Sequence, residues 1–140
     1  MNYEEALKLV PVKNGWYEES HVNDNLVVHY LDGRIHCEDG PAIFWDNGRQ
    51  DWFQNDKLHR LDGPAKTYSN GTQFYYQNDQ LHRLDGPAVI CDEYQAYYQN
   101  GKAHRLDGPA WIYPNGDKEY WIDGKQLTEA EFDSRFAGNN

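Results

Sequence analysis

The sequence predicts a mainly β protein, built as an antiparallel meander of β-hairpin repeats with short capping helices at the N- and C-termini. Two observations predict the repeats: one short block occurs four times, and turn residues separate short runs rich in aromatic and β-branched residues. The histidines that mark the blocks are His36, His59, His82 and His104. Their spacings of 23, 23 and 22 residues are typical of a stacked-repeat protein.

Each block begins with an apolar residue and histidine and ends in Asp-Gly-Pro-Ala. The four copies occupy residues 35–42, 58–65, 81–88 and 103–110. We expect the glycine of this step, Gly86 in the third copy, to have a backbone conformation that is costly for a β-branched residue. Repetition argues against an active site, because catalysis needs unlike groups that converge once on a reacting atom.

Two extended runs per repeat predict the strands, and their length is too small for helices. The first runs occupy 42–45, 65–68, 88–91 and 110–113, and the second runs occupy 51–54, 74–77, 96–99 and 119–122. A more divergent copy of the second run lies at 28–31. Two strands per repeat, joined by short turns, predict the meander.

Turn residues follow both kinds of run. Asn-Gly follows three of the first runs, at 47–48, 70–71 and 115–116, and tolerates the positive backbone angles of a tight hairpin turn. The third copy has Asp92-Glu93 there and is one residue shorter, which accounts for the 22-residue spacing. The second runs lead into turns at 32–33, 55–56, 78–79, 100–101 and 123–124.

The two ends of the chain predict caps. Thr128 and Glu131 form a capping-box pattern, and Leu127 with Phe132 fits the accompanying hydrophobic staple of a C-terminal helix. At the other end, residues 2–9 fit a short helix capped by Asn2 and Glu5 and stopped by Pro11, with a hairpin turn at 14–15.

Length and charge indicate one domain without a membrane or nucleic-acid role. We expect a single domain over 1–140, with an N-terminal cap at 1–25, repeats at 26–127 and a C-terminal cap at 128–140. A net charge of -10 repels nucleic acid and anionic membranes and favours a basic protein partner. Cys37 and Cys91 occupy different repeat positions, so neither a disulfide framework nor a metal pair is expected, and a reducing cytoplasm is the simplest setting.

The period, the Asn-Gly and Asp-Gly turns, the aromatic pair before the second turn and the step Gly101-Lys102-Ala103-His104 resemble the MORN repeat family over residues 26–127. The His-Arg-x-Asp-Gly-Pro-Ala version of the repeat, followed by a Leu-Thr-Glu-x-Glu-Phe helix, is similar to small uncharacterised proteins of tailed bacteriophages. The resemblance implies hairpin repeats and a viral origin, and it implies no chemistry.

The repeated His-Arg-x-Asp is the feature that invites a chemical interpretation. Equivalent histidines two strands apart are roughly 10 Å from each other, too far to share a metal ion. No serine or cysteine accompanies the histidine at a fixed position, so no catalytic residues are predicted. We therefore favour structural ladders, in which Asp62, Asp85 and Asp107 accept hydrogen bonds from turn amides or from the neighbouring histidine or arginine. No metal and no cofactor is expected.

Two rows of residues remain as candidate binding sites. In each aromatic pair one side chain faces the core and the other faces away. The packed column is predicted to be Phe53, Tyr76, Tyr98 and Trp121, and the exposed recognition strip Trp52, Tyr75, Tyr97 and Tyr120. Arg60, Arg83 and Arg105 form either a basic stripe for a partner's carboxylates or structural pairs with the aspartates two residues on.

These features predict a non-enzymatic protein that binds another macromolecule. The leading hypothesis is a phage-encoded protein in the cytoplasm of the infected bacterium that binds, and can inhibit, a host protein such as a defence factor. The alternative is an acidic nucleic-acid mimic that blocks a nuclease, although the acids are evenly diluted by bases. A third hypothesis, an enzyme or a small-ligand site at a repeat junction, has no specific residues in its favour.

Overall fold

The computed structural model describes residues 1–10 and 15–137. The predicted fold class is confirmed: the protein is mainly β, an antiparallel sheet of many short hairpin strands with a short helix near each end. The predicted stop at Pro11 lies outside the described residues, and so does the first residue of the turn predicted at 14–15. The chain divides into two compact units, Met1–Asp79 and Gln80–Asn140. None of the described helices is long and apolar enough to cross a bilayer.

The first unit begins with a helix and continues as an antiparallel sheet. Its elements are α1 (Tyr3–Leu7), β1 (Trp16–Ser20), β2 (Asn25–Leu31), β3 (Arg34–Ile35), β4 (Ile43–Trp45), β5 (Gln50–Asp51), β6 (Phe53–Gln54), β7 (Lys57–Leu58), β8 (Lys66–Thr67), β9 (Gln73–Phe74) and β10 (Tyr76–Gln77). The main path is β1-β2-β4-β5-β8-β9, while β3 pairs with the end of β2 and β7 pairs with β6.

The second unit repeats this pattern and ends in a helix. Its elements are β11 (Gln80–Leu81), β12 (Val89–Ile90), β13 (Gln95–Ala96), β14 (Tyr98–Gln99), β15 (Lys102–Ala103), β16 (Trp111–Ile112), β17 (Lys118–Ile122), β18 (Lys125–Leu127) and α2 (Glu129–Ala137). Here the path is β12-β13-β16-β17-β18, and β14 pairs with β15.

The repeat contains more strands than the two that the sequence predicts. The second run is interrupted at its aromatic residue, Trp52 in one copy and Tyr97 in another, so that β5 and β6, or β13 and β14, are separate strands. Trp52 donates its backbone N–H to Ala65 (2.7 Å) and accepts from His59 (3.0 Å) through its carbonyl. The chain therefore changes pairing partner at this residue, from the next repeat on one side to its own short hairpin on the other.

Both predicted kinds of turn are present, and they differ in geometry. After the first run, the glycine alone has a positive φ, +93° at Gly48, and the asparagine before it accepts a side-chain hydrogen bond from Arg49 N–H (2.9 Å). After the second run, both turn residues have a positive φ, 50° at Asn55 and 66° at Asp56. The first geometry is a three-residue hairpin loop ending in a left-handed glycine, and the second is a two-residue turn of type I′.

The core of the first unit lies on both faces of its sheet. Trp16, Val27 and Phe44 pack on one face together with Ala6 of α1. Leu26, Val28 and Ile43 form the cluster on the other face, as alternation along the strands requires. The alanines that end the four blocks, Ala42, Ala65, Ala88 and Ala110, are fully buried.

The predicted caps are confirmed in the described residues. Glu5 N–H donates to the Asn2 side chain (2.9 Å) at the start of α1. At α2, Glu131 N–H donates to Thr128 Oγ1 and Thr128 N–H donates to Glu131 Oε1, both at 3.1 Å. Phe132 of α2 packs with Leu127, Tyr120 and Ile122 and closes the end of the second unit.

Candidate functional site

The repeated arginines are held by three kinds of contact. Arg60 donates from Nε to Asp62 (2.9 Å) and from Nη1 to the Pro64 carbonyl (3.2 Å), and its guanidinium carbon lies 3.8 Å from the ring centroid of Trp52. Arg105 makes the same contacts with Asp107 (2.9 Å), the Pro109 carbonyl (3.1 Å) and the Tyr97 ring (4.1 Å). Arg83 donates to Asp85 and to the Pro87 carbonyl, both at 3.0 Å. The predicted pairing of each arginine with the aspartate two residues on is confirmed.

In the three blocks that contain arginine, the glycine lies directly beneath the guanidinium. A Cβ added at Gly63 would lie 2.7 Å from the guanidinium carbon of Arg60, and at Gly86 it would lie 2.9 Å from that of Arg83. The φ of Gly86 is outside the left-handed region. The expectation of a costly backbone conformation at this step is therefore wrong, because the glycine is required for the close approach of the arginine.

The repeated histidines each accept a hydrogen bond from the next turn along the chain. Nδ1 of His59 accepts a hydrogen bond from Asn78 N–H (3.1 Å), and His36, His82 and His104 accept in the same way from Asn55, Asn100 and Asp123. Since Nδ1 is the acceptor, a neutral ring carries its proton on Nε2. Within residues 1–10 and 15–137, no group of three potential metal ligands occurs.

The leucine between arginine and aspartate points into solvent. Leu61 and Leu84 are each 75% exposed and Leu106 is 54% exposed. The pattern His-Arg-x-Asp leaves this position open, although the three copies that contain arginine all carry leucine there. An apolar residue retained at a solvent-exposed turn in every such copy was the signal that could have identified it.

In the second unit, two successive blocks enclose a groove, which we call the loop groove, with a volume of about 460 Å³. Leu84 and Asp85 of one block and Leu106 and Asp107 of the next line the groove with exposed side chains. The rest of the lining is Arg83, Gly86, Tyr97, Gln99, His104 and Arg105. The loop groove thus brings together three of the residues predicted for binding, Tyr97, Arg83 and Arg105.

The other predicted binding residues lie elsewhere. Trp52 and Arg60 stack on each other in the first unit, where Tyr75 is half-buried. Tyr120 does not continue an exposed strip: it is 8% exposed and its ring lies 4.7 Å from that of Phe132. The reason is that the chain enters α2 after β18, so Phe132 covers the Tyr120 ring where earlier repeats place an arginine. Tyr120 Oη also donates to Glu129 (3.2 Å).

Each unit contains a cluster of half-buried aromatic side chains that are not among the predicted binding residues. In the first unit the guanidinium of Arg49 lies 4.8 Å from the Trp45 ring and 5.3 Å from the Tyr68 ring, and Arg49 pairs with the buried Asp51 (2.8 Å). In the second unit Tyr94 and Trp111 stack at 4.6 Å. In the first unit the signal was the aromatic residue that ends the first run, Trp45 in one copy and Tyr68 in the next.

Two side chains of the blocks, Cys37 and Asp62, have shifted pKa values. Burial raises the pKa of the Cys37 thiol, so this side chain is protonated at neutral pH and is a poor nucleophile. The hydrogen bond and charge of Arg60 lower the pKa of Asp62, which stays an exposed carboxylate.

No known protein family matches the chain, and no curated protein matches it.

Proposed function

We propose that this is a non-enzymatic binding protein that recognises a protein partner through the loop groove. One observation carries the proposal: Leu84 and Leu106, at equivalent positions of successive blocks, are both exposed and both line one groove. Exposed apolar side chains at fixed positions on a rigid scaffold are typical of contact surfaces between proteins.

The arginines supply the rigidity of this surface. Arg83 and Arg105 each donate from Nε to an aspartate and from Nη1 to a proline carbonyl, and their side chains are only 22% exposed. They therefore hold the loops in place and leave the leucines as the projecting groups. A preorganised surface loses little conformational entropy on binding, which favours affinity.

The charge of the surface indicates the kind of partner. Asp85 and Asp107 have side-chain exposures of 87% and 85%, next to the two leucines, and the whole chain carries a net charge of -10. A protein segment with apolar side chains flanked by lysine or arginine matches this pattern. Its apolar groups would enter between the leucines, and its cations would lie near the aspartates.

The biological setting of the proposal comes from the repeat. The resemblance of the His-Arg-x-Asp-Gly-Pro-Ala repeat to proteins of tailed phages supports a phage-encoded protein that acts in the cytoplasm of an infected bacterium on a host protein, such as a defence factor. Binding of this kind inhibits the partner when the groove covers a surface that the partner needs.

The test is affinity capture from bacterial lysate with the wild type and with the double variant Leu84→Ser, Leu106→Ser. The matched control is Val22→Ser, which changes a side chain that is 98% exposed outside the loop groove. We expect one or more proteins to be retained by the wild type and by Val22→Ser and to be lost with the double variant. Retention by all three proteins alike would contradict the loop groove as the binding surface.

A salt titration of the captured protein separates this proposal from the acidic nucleic-acid mimic. Contacts through apolar side chains change little with salt, whereas contacts between a carboxylate surface and a nucleic-acid-binding protein weaken steeply. We expect salt to weaken the capture only partly, through the cations near the aspartates, and complete elution to need detergent or denaturant. A partner that binds DNA or RNA and elutes at moderate salt would favour the mimic instead.

A further inference from the structure

The first block (residues 35–42) lacks the arginine that the three later blocks contain. Cys37 and Glu38 stand where the second block has Arg60 and Leu61. The backbone around this position is nevertheless the same: Cys37 N–H donates to the Phe53 carbonyl at 3.1 Å, as Arg60 N–H donates to the Tyr76 carbonyl at 3.1 Å. The difference between the two blocks therefore lies in the side chains.

The surroundings of the missing guanidinium are retained in the first block. Asp39 and Pro41 are equivalent to Asp62 and Pro64, which accept hydrogen bonds from the Arg60 guanidinium. His29 is equivalent to Trp52, whose ring stacks on that guanidinium. A Cβ added at Gly40 would meet no atom of the described residues within 4 Å, whereas at Gly63 it would collide with Arg60. None of the residues that the structure describes fills, in the first block, the space above Gly40 that the guanidinium fills in the second.

A cavity occupies this place in the first unit, and its volume is about 570 Å³. Its polar lining includes His29, Asp39, Gly40 and Pro41, the same positions that surround the guanidinium elsewhere. Apolar walls are supplied by Met1, Leu9, Trp16, Leu31 and Phe44. A planar cation with an aliphatic stem matches such a cavity, because the stem can pack on the apolar walls while the head reaches the acceptors.

The charge balance favours a cation as well. Replacing the arginine and leucine of the second block by Cys37 and Glu38 removes one positive charge and adds one negative charge. Asp39 accepts only a weak hydrogen bond from the Cys37 thiol at 3.5 Å, whereas Asp62 accepts from a guanidinium at 2.9 Å. Glu38 bonds to His36 Nε2 (2.6 Å) with its side chain 75% exposed.

We propose that this first-block cavity is a binding site for a guanidinium group brought by another molecule, either an arginine side chain of a polypeptide or free arginine. The bound group makes the contacts that Arg60 makes in the second block: hydrogen bonds to the Asp39 carboxylate and the Pro41 carbonyl, with its plane above Gly40. Guanidinium is preferred to ammonium because the acceptors suit a planar fork of donors rather than a point charge. The site does not depend on the loop groove.

The test is a titration of the full-length protein with N-acetyl-argininamide, followed by the NMR shifts of the Asp39 and Gly40 amides. N-acetyl-lysinamide is the control ligand. The Leu84→Ser, Leu106→Ser variant is the control protein and should bind N-acetyl-argininamide as the wild type does. We expect saturable shifts at these two amides and affinity about tenfold weaker for the lysine compound. Absence of saturable shifts, or equal affinity for both compounds, would overturn the proposal.

Two variants locate the site. Cys37→Arg should fill the cavity with the protein's own guanidinium, raise the melting temperature and abolish the titration. Asp39→Asn, a change on an exposed side chain, should fold normally and weaken argininamide at least fivefold. If both variants bind argininamide as the wild type does, the ligand binds somewhere else and the proposal fails.

A second arm identifies the source of the guanidinium. Free L-arginine and a short Gly-Arg-Gly peptide with blocked ends are titrated in parallel. Tighter binding of the peptide assigns the site to an arginine of a protein partner, and tighter binding of free arginine assigns it to the small molecule. The Arg105→Ala variant provides a calibration, because there the same acceptors lose their arginine. Methylguanidinium should raise the melting temperature of this variant. No rise would contradict the inference that these acceptors bind a guanidinium group.

Discussion

Nδ1 of His82 accepts a hydrogen bond from the backbone N–H of Asn100, 3.0 Å away, and so joins one repeat to the turn of the following one. Asn100 has a positive φ of 51°, a conformation that few residues other than glycine adopt readily. The histidine therefore stabilises a turn that is unfavourable by itself. This link gives the histidine of every block a structural role.

Removing this link should destabilise the second unit. We expect His82→Ala to lower the free energy of unfolding by about 1 kcal/mol, because the turn loses its acceptor although water can reach the freed N–H. Urea unfolding followed by tryptophan fluorescence measures the change. His21→Ala, at an exposed histidine outside the blocks, is the control and should have a smaller effect; equal losses in the two variants would contradict the role of His82.

The close contact between guanidinium and glycine predicts a difference between two glycines of the first unit. Gly63→Ala should destabilise the protein by about 1–3 kcal/mol, because the new methyl group forces Arg60 off the Trp52 ring. Gly40→Ala should change stability by no more than about 0.5 kcal/mol, since no atom of the described residues lies within 4 Å of the added Cβ. Thermal unfolding of both variants tests this, and similar losses would show that the glycine is needed for another reason.

The two tyrosines at equivalent repeat positions should differ in importance. Tyr120→Ala should cost about 3 kcal/mol or more, since the ring is buried against Phe132. Tyr97→Ala should cost less, because this ring is half-buried and contacts a guanidinium instead of a packed helix. Unfolding free energies of the two variants provide the comparison. A larger loss for Tyr97→Ala would reverse the assignment of Tyr120 to the core.

Alkaline pH should remove a stabilising contact at the N-terminal sheet. The hydrogen bond from Tyr30 Oη to the Glu19 carboxylate, with burial, raises the pKa of Tyr30 from 10.0 to about 12. Between these values the unfolded chain loses the phenol proton while the folded protein keeps it, so the contribution of Tyr30 is complete below pH 10 and is lost as pH rises towards 12.

The measurement for Tyr30 is the difference in unfolding free energy between the wild type and Tyr30→Phe, followed from pH 9 upwards. We expect the advantage of the wild type to shrink across pH 10 to 12. Tyr113→Phe is the comparison at a second tyrosine, whose pKa burial and the neighbouring Glu119 also raise, and it should show a dependence of the same sign. A difference that stays constant with pH in Tyr30→Phe would contradict the raised pKa.

The regular parts of the repeat could be predicted from the sequence because their chemistry is local. Turn residues with positive φ, the Thr128 and Glu131 capping box and the strand runs each depend on neighbours within a few positions. The short strands β3, β7, β15 and β18 could be missed because most of them hold two residues, too few for any periodicity.

The site was harder to predict because it depends on contacts between residues that no local pattern joins. Alternation along a strand assumes that the strand is continuous, and the break at Trp52 and Tyr97 invalidates it there. The stacking of Arg60 on Trp52 occurs at that break. Tyr120 differed because the capping helix, and not another repeat, comes next.

The histidine-to-turn hydrogen bonds also bear on how the chain acquires its structure. His59 and Asn78 are 19 residues apart, and the backbone bond from Asp79 to Leu58 spans 21 residues. Loops of this length close at a modest entropic cost, and contacts of short range favour fast folding. During synthesis, a repeat can thus complete its pairing once the next twenty or so residues have left the ribosome, and this growth in steps limits the time for which unpaired strand edges are available for aggregation.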